Sequence, residues 1–132
     1  NFSDKQIKCL MKISKSIIKK YNIDKNKILG HSDIAPLRKI DPGEKFPWKK
    51  LSKHKIGKWY KESKLGISFN FKKLEIAFFE NLRKLGYRYF KVNKRSSRDK
   101  KIIKSFQQHY SPNNVTGKLD QKTFEISYFL TH

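Results

Sequence analysis

Residues 30–48, which read GHSDIAPLRKIDPGEKFPW, divide the chain into two parts of different character. The stretch holds three prolines, which restrict the backbone, and two glycines, which like proline interrupt helices and strands. It therefore predicts a stiff loop without regular secondary structure. His31 begins the loop and Asp41 lies ten residues further on, and an imidazole and a carboxylate on one constrained loop are suitable zinc ligands. Asp33 can accept hydrogen bonds from loop amides. The residue types alone leave two interpretations open, a metal site and an ordinary structural loop.

The supply of further ligands and of a catalytic cation is the weak point of the metal interpretation. A catalytic zinc usually has three protein ligands, and the loop offers two. His54, His109 and His132 are candidates for a third by residue type, but their settings are more typical of solvated or packed histidines. Lys39, two residues before Asp41, is placed to stabilise the oxyanion of a tetrahedral intermediate. As one of 27 lysines, however, it is by itself more simply explained as a solvated surface side chain.

A long amphipathic helix is predicted before the loop, over residues 3–21. Ser3 and Gln6 have the spacing of a capping box, which marks the start of a helix. Apolar residues then recur every three or four positions along one face: Ile7, Leu10, Met11, Ile17, Ile18 and Tyr21. Such a stripe is typical of a face that packs on a core. A short strand is expected at residues 28–29, between this helix and the loop.

The composition changes near residue 62, and residues 63–132 are predicted to form a three-helix domain. Its helices are expected at about residues 71–85, 97–110 and 120–130. Their ends are marked by capping or turn residues, namely Asn70, Gly86, Pro112 and Asp120. The predicted fold class is therefore mainly α, with residues 1–62 forming one unit and residues 63–132 the other.

The formal net charge of +21 raises the question of nucleic-acid binding. Lysines greatly outnumber arginines and the charge is spread over both halves of the chain, whereas nucleic-acid interfaces favour arginine and a concentrated patch. Solvated surface lysines explain the charge more simply, so nucleic acid is not an expected partner. Cys9 is the single cysteine and is expected to be buried in the first helix. No apolar run approaches the length of a membrane span, so no transmembrane segment is expected.

The loop GHSDIAPLRKIDPGEKFPW resembles the zinc-loop signature of the amidase-2 class of N-acetylmuramoyl-L-alanine amidases, especially its periplasmic AmiD-like members. The family's helix before that loop is similar to NFSDKQIKCLMKISKSIIKKYNI, and its last strand to KILGHSD. Its three-helix peptidoglycan-binding domain is similar to KLEIAFFENLRKLGYR, IIKSFQQHYSP and GKLDQKTFEISYFL. The resemblance covers nearly the whole chain. It implies that residues 1–62 are the C-terminal helix, strand and zinc loop of an α/β amidase domain, followed by a peptidoglycan-binding domain at residues 63–132.

The resemblance implies zinc-dependent hydrolysis of the amide between N-acetylmuramic acid and L-alanine in peptidoglycan. Carried over by position, it makes His31 and Asp41 zinc ligands, and gives Lys39 the role of a lysine that supports the transition state. One departure is Leu37, where the family often has glycine or a polar residue. The family also has another zinc-binding His and a general-base Glu upstream of the matched region, and residues 1–30 contain neither residue type. We therefore expect this chain to carry only part of the active site and to need an upstream amidase segment for activity.

The same resemblance implies the partners and the location. The partners are peptidoglycan or muramyl-peptide fragments, and the location is the bacterial cell envelope, either periplasmic or associated with the outer membrane. One alternative is a peptidoglycan-binding module that lacks catalytic activity. A more distant alternative is a basic nucleic-acid-binding protein, for which the chain offers no helix-turn-helix signal and no arginine cluster.

Overall fold

The computed structural model describes residues 1–68 and 70–132. Within them the chain is mostly helical, which confirms the predicted fold class. The α-helices are α1 (Asp4–Tyr21), α2 (His31–Ile34), α3 (Trp48–Ser52), α4 (Phe71–Leu85), α5 (Asp99–Tyr110) and α6 (Gln121–Thr131). A short 3-10 helix, Lys25–Lys27, follows α1. None of these described helices is both long and apolar enough to cross a membrane.

The segment around the predicted strand differs from expectation. Ile28 has an extended backbone, with φ −98° and ψ 106°, but no β-strand is assigned in the described residues. An extended segment becomes a strand only when a neighbouring segment pairs with it, and none of the described segments pairs with Ile28. The loop that follows also contains one helical turn, α2, where no regular structure was expected.

Helix α1 begins as its sequence predicts and buries only part of its apolar stripe. Gln6 N–H donates to Ser3 Oγ (3.2 Å), and Ser3 N–H donates to Gln6 Oε1 (2.8 Å), which completes the capping box. Its core is small: Ile7, Leu51 and Ile56 are buried, with Leu10, Met11, Ile18, Ile28 and Phe46 packed around them. The expected burial of three residues is wrong, since Cys9, Ile17 and Tyr21 are exposed.

Helices α4, α5 and α6 share a much larger core. Asn70 and Asp120 cap α4 and α6 by accepting from Lys73 N–H and Thr123 N–H. Gly86 ends α4 with φ 104°, a left-handed conformation that glycine adopts without strain. The buried apolar side chains are Phe78, Phe79, Leu82, Tyr87, Ile102, Ile103, Phe106, Tyr110, Leu119, Phe124, Ile126 and Leu130. Most of the apolar side chains of these three helices are therefore buried against one another.

The two predicted units are in direct contact. Helices α2 and α3 both lie against α5. Leu37, Trp59 and Tyr60, all from the first unit, pack on the core of the second. The loop at residues 30–48 therefore lies between the small core and the large one.

Candidate metal centre

His31 and Asp41 face each other at the surface. His31 is the first residue of α2, and its Nδ1 lies 3.3 Å from Asp41 Oδ2. Both side chains are open to solvent, with 51% and 63% of their surface exposed. Two ligand atoms about 2.0–2.2 Å from a tetrahedral zinc ion lie about 3.3–3.5 Å apart, so the observed separation suits a shared metal ion. An exposed His–Asp hydrogen bond would have a similar separation.

Backbone contacts hold these two side chains together. Ser32 N–H donates to the Asp41 carbonyl oxygen at 2.9 Å, which closes the loop beside the pair. Gly30 is required by a close approach: a Cβ added there would lie 2.7 Å from Pro42 Cδ and 3.3 Å from the Trp48 ring. The prolines were expected to make the loop stiff, and the structure shows one source of this stiffness, the direct packing of Pro42 on Gly30.

Lys39 lies on the same loop, in a different setting. Its side chain is exposed and lines a cavity of about 250 Å³ between the loop and α5. Three more cations line that cavity, namely Arg38, Lys101 and Lys104. The side chain of Lys39 has no described hydrogen bond or ion pair with His31 or Asp41. The cavity is a cationic groove suited to anionic groups.

The remaining histidines do not join the pair. His54 is exposed, with its Nδ1 3.4 Å from Lys15 Nζ. His132 stacks on Tyr128, with ring centroids 4.1 Å apart. His109 is buried and bonds to Asp33. Among the described residues no group of three or more His, Cys, Asp or Glu side chains could hold a metal ion. Within this part of the chain, the site has two candidate ligands.

A buried polar cluster around Asp33 lies directly beside the pair, and sequence reasoning missed most of it. The expected loop-amide bond is present, because Gly30 N–H donates to Asp33 Oδ2 at 2.8 Å. Two further donors come from the second unit: Tyr87 Oη, 2.6 Å from Asp33 Oδ1, and His109 Nδ1, 2.7 Å from Asp33 Oδ2. These partners are 54 and 76 residues away in sequence, so no local sequence pattern predicts them.

The cluster has a clear electrostatic signature. Burial raises the pKa of Tyr87 well above its ordinary value, and the negative charge of Asp33 raises it further. Burial, followed by the same Asp33 charge, also raises the pKa of Tyr110. Both phenols therefore remain protonated, and Tyr87 stays a hydrogen-bond donor to the carboxylate.

Comparisons with known proteins identify the family that this chain resembles. Residues 1–44 match the sequence model of the amidase-2 family, described as N-acetylmuramoyl-L-alanine amidase. The matched segment contains α1, α2 and the His31–Asp41 pair. The chain is also 30% identical to N-acetylmuramoyl-L-alanine amidase AmiD of Escherichia coli K12 over 131 residues, which is 96% of this chain and 47% of the relative. The resemblance to the amidase-2 family is confirmed.

Two solved structures share the backbone arrangement of this chain. One is E. coli AmiD in complex with the substrate anhydro-N-acetylmuramic acid-L-Ala-D-γ-Glu-L-Lys, with a TM-score of 0.81 and 29% identity. Another is AmpDH3 of Pseudomonas aeruginosa in complex with anhydromuramic pentapeptide, with a TM-score of 0.84 and 30% identity. Each match covers 98% of this chain, but 52% and 53% of the respective relatives. The chain thus spans about half the length of these relatives.

Proposed function

We propose that this chain is the C-terminal part of a zinc-dependent N-acetylmuramoyl-L-alanine amidase, in which His31 and Asp41 bind the metal. The observation that carries the proposal is the 3.3 Å separation of His31 Nδ1 and Asp41 Oδ2 within the segment that matches the family. The substrate is the amide between N-acetylmuramic acid and L-alanine in peptidoglycan or its muramyl-peptide fragments. The corresponding location is the bacterial cell envelope, periplasmic or associated with the outer membrane.

The donor set and its surroundings fit zinc. A neutral imidazole nitrogen and a carboxylate oxygen are ordinary zinc ligands, and their mutual spacing requires little rearrangement. Both side chains are solvent-accessible, so metal and substrate can reach them. The Ser32–Asp41 backbone bond and the Gly30–Pro42 contact limit how far the ligands can move apart.

Each residue has a defined task in this proposal. Bound zinc would supply a Lewis acid for the scissile carbonyl and a water of lowered pKa. His31 Nδ1 and Asp41 Oδ2 would provide two of its ligands. Lys39 Nζ would stabilise negative charge that develops on the carbonyl oxygen. The cationic groove around Lys39 would attract the carboxylates of the stem peptide and orient it along α5.

An upstream amidase segment is the proposed partner of this half-site. Two ligands give zinc less affinity and a less defined geometry than three. The described residues also leave a stripe on α1 without cover, with Ile13, Ile17 and Tyr21 exposed. A segment that supplies the missing ligand and base would have an apolar surface on which to pack.

A second candidate function is peptidoglycan binding without catalysis. The small number of metal ligands in the described residues and the large helical core of α4, α5 and α6 favour it. A positive surface would assist binding to an acidic cell wall in either case. Nucleic-acid binding remains a distant third candidate, because no observation beyond net charge favours it.

The test joins the chain to the amino-terminal half of E. coli AmiD and assays zinc-dependent cleavage of an anhydromuramyl tripeptide. We expect cleavage by the joined protein and little or none by the 132-residue chain alone. His31→Ala and Asp41→Ala should each abolish it, whereas His54→Ala, which changes an exposed histidine away from the pair, should not. Robust hydrolysis by the chain alone would contradict the half-site. If the chain binds to insoluble peptidoglycan but no zinc binds at His31, the non-catalytic function is favoured.

A further inference from the structure

The contacts between the metal loop and the second helical unit point to a role for that unit in the active site. We propose that Tyr87 and His109 are positioning residues that hold α2, and with it His31, in place through Asp33. This inference rests on the proposed function insofar as His31 is a metal ligand. It assigns to the C-terminal unit a task in building the metal site, beyond binding the cell wall.

Helix α2 needs outside support because it has only four residues. A single helical turn fixes several backbone dihedral angles for very few hydrogen bonds, so it is not stable by itself. His31 is the first residue of this turn and Asp33 the third. Asp33 Oδ2 accepts from Gly30 N–H, the residue before the turn, which locks the backbone from which His31 projects.

The external support comes from two segments of the second unit. Tyr87, two residues after the end of α4, donates to Asp33 Oδ1 at 2.6 Å, and His109 of α5 donates to Oδ2 at 2.7 Å. A third bond holds the backbone, since Ser105 Oγ donates to the Ser32 carbonyl oxygen at 2.6 Å. Ser32 and Asp33, the two residues that follow His31, are therefore both bonded to α5.

The donors are themselves rigid. The His109 ring is sandwiched between Trp48 and Tyr110, with centroid distances of 4.1 and 3.9 Å and interplanar angles of 14° and 11°. Tyr87 is buried in the core and lies edge-on to Phe106. The His109 and Asp33 side chains are only 2% and 4% exposed, so water does not compete effectively for their hydrogen bond. Displacement of Asp33 would thus require rearrangement of the large core.

The direction of the effect follows from this arrangement. Outer partners that orient metal ligands typically change metal affinity or activity by about 10–100-fold when they are removed. Tyr87→Phe removes one hydroxyl and keeps the aromatic ring in the core. Tyr110→Phe is a matched control, because it keeps the ring that stacks on His109 and removes only the hydroxyl of an equally buried tyrosine with no described hydrogen bond to Asp33. A purely structural role would make the two variants alike in every property of the metal loop.

The experiment uses the full 132-residue chain and two independent measurements. Hydrogen exchange of the Ser32 amide, without metal, reports whether the loop is held. Co²⁺ titration, followed by the visible absorption spectrum, reports the affinity and geometry at His31. We expect Tyr87→Phe to accelerate the exchange at least tenfold, to weaken Co²⁺ binding about tenfold and to alter the spectrum. Tyr110→Phe should leave all three at wild-type values.

The two proposals fail in different ways. If Tyr87→Phe matches Tyr110→Phe in exchange, affinity and spectrum, the positioning role is wrong even when wild-type chain binds Co²⁺ through His31. Suppose instead that hydrogen exchange accelerates in Tyr87→Phe but that His31→Ala binds Co²⁺ as tightly as the wild type. The loop is then held as proposed, and the assignment of His31 as a metal ligand is wrong.

Discussion

The N-terminal and C-terminal parts of the molecule differ in the size of their buried cores. Helices α4, α5 and α6 bury a continuous set of aromatic and aliphatic side chains against one another. The N-terminal part buries only Ile7, Leu51 and Ile56 around α1 and leaves Ile17 exposed. The candidate metal ligands lie in the part with the smaller core. Hydrogen bonds from the part with the larger core hold the loop that carries these ligands. The larger core thus supplies stability, and the smaller part carries the candidate chemistry.

The largest expected effect is on the large core. Phe106 is fully buried where α5 meets α4, so Phe106→Ala should lower the free energy of unfolding by about 3–5 kcal/mol. Ile17→Ala on the exposed stripe of α1 is the counterpart and should change it by less than about 0.5 kcal/mol. Urea denaturation measures both. Equal losses would show that the two regions contribute similarly to stability.

Two aspartates of the loop offer the next contrast. Asp33→Asn replaces a buried acceptor of three hydrogen bonds, so we expect a loss of roughly 2–4 kcal/mol in the free energy of unfolding. Asp41→Asn changes an exposed side chain and should alter that free energy by less than about 0.5 kcal/mol. Zinc titration of Asp41→Asn should nevertheless show binding lost. A stable Asp33→Asn, or an Asp41→Asn with unchanged zinc affinity, would contradict the division between support and chemistry.

A smaller effect is expected from the glycine at the start of the loop. Gly30→Ala places a methyl group against Pro42 and Trp48, so it should cost about 1–3 kcal/mol of unfolding free energy and weaken zinc binding. Gly66→Ala is the control, since a Cβ there meets no atom within 4 Å. Thermal unfolding and zinc titration of the two variants provide the measurement. If Gly30→Ala binds zinc like Gly66→Ala, the close packing of the loop does not matter to the site.

At neutral pH the smallest effect is that of the two buried tyrosine hydroxyls, which change the stability only in alkaline solution. Because burial and Asp33 raise the pKa values of Tyr87 and Tyr110, the folded chain keeps protons that the unfolded chain loses above about pH 10. The free energy of unfolding should then fall as pH rises beyond that value, by up to about 1.4 kcal/mol per pH unit for each tyrosine. Below pH 10 these two groups should contribute no slope.

Denaturant unfolding between pH 9 and 11.5 measures this dependence. The Tyr87→Phe, Tyr110→Phe double variant should lose part of the slope above pH 10, while Tyr21→Phe, at an exposed ring, should keep it. A double variant with the full wild-type slope would show that the buried cluster does not carry the effect.

Features encoded by neighbouring residues were predicted from sequence. Ser3 with Gln6, Asn70 and Asp120 marked helix starts because capping bonds join residues two or three positions apart. The approach of His31 to Asp41 was predicted because both lie on one proline-restricted loop. Their zinc-binding role stays a prediction, as do that of Lys39 and the division at residues 62 and 63.

Features that depend on distant partners were not predicted. The bonds of Asp33 to Tyr87 and His109 join residues 54 and 76 positions apart, and a histidine and a tyrosine among many aromatics carry no local signal of a common partner. The strand expected near Ile28 depends on pairing, which a single segment cannot specify. The exposure of part of the α1 stripe was missed for the same reason, because apolar periodicity identifies the apolar face of a helix and does not identify the segment that covers it.

The most direct test of the account is zinc titration of the 132-residue chain, followed through the ring signals of His31 in a nuclear magnetic resonance spectrum. We expect zinc to shift these signals, and we expect His31→Ala and Asp41→Ala each to remove the binding. Tyr87→Phe should weaken the binding about tenfold, while Tyr110→Phe should not. Zinc that leaves the His31 signals unchanged, or that binds Asp41→Ala as tightly as the wild type, would contradict the account.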